Sequence, residues 1–131
     1  MEVKLMATPA TKPEMVETKC LSGHALDFAV AKAEGHENCW LHDWAMGLQK
    51  QYCSDPEAAY PIIAREKISV YASLNEYGSL LHWTGVVETT QSTRVGWIGP
   101  TLIVAAMRAF VASRFGCVVD VSAIGNVTAK S

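Results

Sequence analysis

The chain has 131 residues, half of them apolar and 18% charged, with a formal net charge of −2. That length gives one domain with one core, and the apolar content excludes general disorder. The small negative charge, with no cluster of Lys and Arg, argues against a nucleic-acid surface. No apolar run approaches the ~20 residues that span a bilayer, and no apolar leader-like block stands near Met1, so a cytoplasmic protein without a membrane partner is expected.

Residues 1–18 read as an arm or an early edge strand around Glu2–Met6, because Pro9 and Pro13 discourage a helix. A globular domain is expected over 19–124 and a tail over 125–131. From Leu21 the pattern turns helical: Ser22 is a cap candidate, Leu26, Ala29, Val30 and Ala33 share a side, and Gly35 is a stop. Between His36 and Tyr60 the pattern is poor. Its first part reads as a short helix or a loop laying Trp40 and Trp44 over the core, and Ser54-Asp55-Pro56 reads as a turn.

Pro61-Ile62-Ile63 leads into Glu66–Leu74, where Ile68, Val70, Ala72 and Leu74 alternate as in a half-buried strand. Arg65-Glu66-Lys67 reads as a solvated edge with weak ion pairs. Residues 75–79 connect to a second strand over Leu80–Thr90, and Gln91–Gly96 loops onward. A core helix is expected at about 101–115, capped by Thr101 and stopped by Gly116, with Leu102, Ile103, Met107 and Phe110 each contributing about 1.5–3 kcal/mol on full burial. Its Ala105-Ala106 and Ala109–Ala112 surface is a natural partner for the alanines of the first helix. Cys117–Val121 is a short strand. The order α, β, β, α, β with antiparallel neighbours predicts an α+β fold, a small antiparallel sheet packed against two main helices.

Three blocks, Leu21–Gly35, Pro61–Ile68 and Gly99–Gly116, together resemble the small tailed-phage proteins called NinX, a domain-of-unknown-function family of phages and prophages. The resemblance implies phage origin and an accessory role in the infected bacterial cytoplasm, and it brings no reaction or cofactor with it. Two departures from the family pattern fall near the middle block. Where the family has Trp after an Asp and then a Gly pair, this chain has Pro56 after Asp55 and then Ala59-Tyr60; Ala64 stands where the family carries an acid.

Cys20, Cys39, Cys53 and Cys117 lack CxxC spacing and are expected as reduced, mostly buried thiols. His36, Cys39, His42 and Cys53 form a chemically suitable zinc set, but their spacing is that of no known finger, and no metal is expected. No nucleophile elbow, His-Glu-x-x-His helix or phosphate-cradling glycine loop appears, so the chain reads as a binder rather than an enzyme. The tryptophans carry the functional expectation, with a second, edge-side core as the competing role for their rings. Trp40, Asp43, Trp44, Arg65, Trp97, Thr101 and Arg108 are candidates for a ligand pocket that stacks a nucleotide-like ring and receives its anion at cations or a helix N-terminus. The expected function is non-catalytic capture of a nucleotide-derived host immune signal in counter-defence. The alternatives are a protein–protein inhibitor or adaptor on a host enzyme and a small hydrolase or transferase. Self-association into a dimer or higher oligomer is expected from the apolar content.

Overall fold

A computed structural model of the chain describes residues 15–88 and 96–122. The elements are β1 (Met15–Glu17), a 3-10 turn (Thr18–Cys20), α1 (Gly23–Ala33), α2 (Glu37–Met46), α3 (Pro56–Glu66), β2 (Ile68–Leu74), β3 (Leu80–Val87), β4 (Trp97–Gly99), α4 (Leu102–Phe115) and β5 (Val118–Asp120). Strands β2, β3 and β4 form an antiparallel sheet in that order, and β1 pairs with β5 in a second antiparallel ladder. The fold is α+β, a single compact domain, as the alternation of patterns predicts. The Glu2–Met6 strand, the loop positions 91–95 and the 125–131 tail lie outside the described residues.

Helix α4 is the centre, packed against the three-stranded sheet, α1 and α3. Thr101 caps it, its side chain accepting from the Val104 N–H at 3.1 Å, and Gly116 ends it at φ +85°. Met107, Phe110 and Val111 are fully buried, whereas Leu102 and Ile103 in the first turn are only half-buried. Two of the alanines expected to meet α1 lie against the sheet. Ala105 and Ala106 lie against Gly85 of β3, and Ala105 also against Gly99 of β4: a Cβ at Gly85 would sit 2.7 Å from the Ala105 carbonyl oxygen, and one at Gly99 2.6 Å from the Ala105 nitrogen. Small residues on both surfaces let the helix backbone descend onto the strands.

Helix α3 corrects the sequence reading, in which Ser54-Asp55-Pro56 was only a turn and Pro61 led towards a strand. Asp55 is its N-cap, accepting from the Glu57 N–H at 3.0 Å, and Pro56 sits at the first helical position, where its missing N–H costs nothing. Pro61 lies inside the helix, which is held instead by Ala59 and Ile62 in the core. Lys67 then takes a left-handed conformation, φ +54°, that turns the chain into β2. In the hairpin, the Asn75 side chain accepts from the N–H groups of Tyr77 and Ser79 at 2.8 and 3.0 Å.

At the other end of the core, the fully buried Thr18 hydroxyl donates to the Gly116 carbonyl at 2.7 Å, tying the 3-10 turn to the end of α4. Arg65 and Lys67 are exposed, as their sequence suggests, whereas Glu66 between them is half-buried. Arg65 pairs with Glu34, the residue that ends α1, and with Glu66, and Arg114 of α4 reaches Glu66 at 3.0 Å, with both guanidinium groups over the Phe110 ring. Burial alone would raise the Glu66 carboxyl, but hydrogen bonds and charge from Arg65 and Arg114 outweigh it and hold it below the ordinary range.

Candidate functional site

Two hollows receive most of the candidate residues. The first lies where α4 meets β4 and the 3-10 turn, encloses about 390 Å³ and is lined by Lys19, Gly96, Trp97, Ile98 and Arg108, mostly through apolar atoms. Trp97 stands opposite Gly85 in the ladder, which puts its half-buried ring on the α4 side of the sheet. Arg108 is placed by two backbone carbonyls: its Nε donates to Leu21 at 2.9 Å and its Nη1 to Ile98 at 2.7 Å. Those bonds leave its Nη2 without a partner among the described residues. Burial pushes this guanidinium down from its ordinary value, but an arginine keeps its charge even so. Lys19 adds an exposed ammonium whose described ion pair, to Glu17 at 3.9 Å, is loose. Gly96 closes the rim against Thr84, where a Cβ would come within 2.6 Å of the Thr84 Cγ2.

A guanidinium, an ammonium and an indole around an apolar hollow suit one class of ligand, a flat ring bearing an anionic group.

The second hollow, about 200 Å³, lies on α2 and is lined by His36, Cys39, Trp40, Asp43, Lys50 and Tyr52. His36, Cys39, Trp40 and Asp43 fall at i, i+3, i+4 and i+7, one stripe of the helix. Trp40 is buried, donates from Nε1 to the Lys50 carbonyl at 2.9 Å and stacks on Trp44 with centroids 5.4 Å apart. Trp44 in turn meets His24 edge-on at 4.3 Å.

The structure therefore groups Trp97 with Arg108, and Trp40 with Asp43 and Trp44, in separate places. Arg65 lines neither hollow, being bonded to Glu34 and Glu66, and Thr101 spends its hydroxyl on capping α4. Sequence reading missed Lys19 and Ile98 at the first hollow and Lys50 and Tyr52 at the second. Only the stripe on α2 was legible in principle; the others arrive through chain reversals that carry no local pattern.

A family model described as "Bacteriophage P22, NinX" matches residues 18–114. The chain belongs to the NinX family. The NinX match begins at the 3-10 turn and ends in the last turn of α4, so it contains every residue lining either hollow and leaves β1 and β5 outside. A comparison with curated proteins finds no match.

Within this NinX chain the thiols are more exposed than expected: Cys20, Cys39 and Cys117 are at the surface and Cys53 is half-buried. No three His, Cys, Asp or Glu side chains are grouped to hold a metal among the described residues. The four candidates for zinc part company: His36 and Cys39 line the α2 hollow, whereas Cys53 turns to Asp27 of α1, which accepts from its N–H at 2.8 Å. Burial and the neighbouring Asp27 push the Cys53 thiol up to about 12, so it is protonated at neutral pH and a poor nucleophile. No described helix is long and apolar enough to cross a membrane.

Proposed function

We propose that the protein is a phage accessory protein that captures, without transforming it, a small anionic aromatic molecule of the nucleotide class, and that this capture serves counter-defence by withdrawing a nucleotide-derived host signal. One observation supports the reading above the others: Trp97, Arg108 and Lys19 share a single apolar hollow of about 390 Å³. Its chemistry supplies ring stacking and two positive charges, and no activated nucleophile stands in it. Membership of a phage family fits such a role and leaves the ligand open.

The test is to incubate the purified protein with extract from phage-challenged cells, denature it, and analyse what is released by mass spectrometry. Recovery of an intact phosphorylated aromatic compound is expected. A chemically altered compound, or none at all, contradicts capture.

A second reading, an inhibitor or adaptor acting on a host enzyme, is favoured by the exposed apolar side chains Tyr71, Leu74, Tyr77, Leu80 and Leu81 around the β2–β3 hairpin. Self-association would use the same surface. A host polypeptide co-purifying in place of a small molecule supports this reading.

A further inference from the structure

We propose that the hollow on α2 is a separate binding site for a small zwitterion of the amino-acid class, independent of the indole and guanidinium site on α4. The inference begins with two opposite charges that have not found each other. Asp43 and Lys50 line the same hollow, yet neither forms an ion pair among the described residues. Opposite charges on residues that line one small hollow, neither paired with the other, suit a molecule that carries the complementary pair.

A third group points the same way. Tyr52 is 5% exposed and lines this hollow, and its hydroxyl has no hydrogen-bond partner among the described residues. That hydroxyl is free to donate to an acceptor on a ligand. The backbone beside it is fixed, because Trp40 Nε1 holds the Lys50 carbonyl at 2.9 Å. With that N–H committed and the ring stacked on Trp44, Trp40 is a wall rather than a donor.

In the arrangement that satisfies all three groups, the ligand ammonium donates to the Asp43 carboxylate. The ligand carboxylate accepts from the Lys50 ammonium and the Tyr52 hydroxyl, and a short side chain lies against the Trp40 indole. A volume of about 200 Å³ admits a free amino acid and is small for a nucleotide. A neutral nucleobase would leave both charges unmatched. His36 and Cys39 stand at the rim with no hydrogen bond between them, so they do not form a Cys–His pair.

The experiment titrates the full chain with glycine, L-valine, L-glutamine and L-phenylalanine, following tryptophan fluorescence and amide shifts. N-acetyl and methyl-ester derivatives serve as probes lacking one charge. At least one free amino acid should saturate at millimolar concentration or below, with each blocked form weaker by about tenfold or more. Asp43→Asn and Lys50→Met, at positions that are not buried, should each weaken binding to the same degree with unchanged melting, and Tyr52→Phe by about three- to tenfold. Trp97→Leu should leave it intact, separating this site from the one on α4. Absence of saturation by all four probes overturns the proposal. So does equal binding of the blocked forms, indifference to both charge variants, or preferential binding of adenine at these residues.

Discussion

A methyl group added at Gly85 would enter the backbone of α4, since its Cβ would lie 2.7 Å from the Ala105 carbonyl oxygen and 3.1 Å from the Ala106 Cα. Neither atom belongs to a side chain that can rotate away, so the helix as a whole must lift. Gly85→Ala should therefore destabilise the protein by about 1–3 kcal/mol, read as a lower urea midpoint with an unchanged slope. An unchanged midpoint would mean that α4 does not sit as close to β3 as described. Asp27 gives a second test at this scale. It is almost fully buried, and burial raises its carboxyl above the ordinary range despite the hydrogen bonds from Cys53. A carboxyl with a raised folded-state value contributes stability that is fully present below its unfolded value, about 4, and lost as pH rises through the folded one. The stability of the native chain relative to Asp27→Asn should thus fall as pH rises above about 4. A relative stability that climbs with pH would show that the hydrogen bonds from Cys53, and not burial, dominate.

At the scale of elements, α3 shows how a local rule can mislead. Ser54-Asp55-Pro56 reads locally as a turn and Pro61 as the approach to a strand, whereas Asp55 is a cap, Pro56 a first helical residue and Pro61 lies inside the helix. Burial of Ala59 and Ile62 against the core decides otherwise, and that is a tertiary fact. Asp55→Ala should cost about 0.5–2 kcal/mol, measurable by chemical denaturation, because the Glu57 N–H loses its acceptor. No loss would mean that water serves the N-terminus equally well. Helices α1 and α4 were legible because each carries apolar spacing with a cap and a glycine stop, and both were placed to within a residue or two at each end. The hairpin was legible from alternation and from Asn75 and Gly78. The role of Ala105 was not, since an alanine on a helix says nothing about whether a glycine in a strand or another alanine will face it.

For the molecule as a whole, the functional residues distribute by topology rather than by type. The four tryptophans suggested one stacking site, yet Trp97 belongs to the sheet and α4, whereas Trp40 and Trp44 belong to the helical layer built on α1. Sequence could nominate aromatic rings and cations but could not sort them, because Lys19, Trp97 and Arg108 are brought together only when the 3-10 turn, β4 and α4 meet. The ion pairs joining Glu34, Arg65, Glu66 and Arg114 similarly tie the end of α1 to α3 and α4 from nothing more than scattered charges.

Fluorescence titration of the purified protein with adenosine 5′-monophosphate, cyclic AMP and ADP-ribose, each set against adenosine, bears most directly on ligand capture at Trp97. At least one phosphorylated compound should saturate and bind about tenfold or more tightly than adenosine, because a phosphate on Arg108 and Lys19 adds charge-assisted hydrogen bonds. Lys19→Met should reduce that advantage, more so at low salt, and Trp97→Leu should remove the response. Equal affinity for adenosine and its phosphates, no saturable response to any of them, or a titration that Trp97→Leu leaves unchanged would contradict a ring-and-anion site in this hollow.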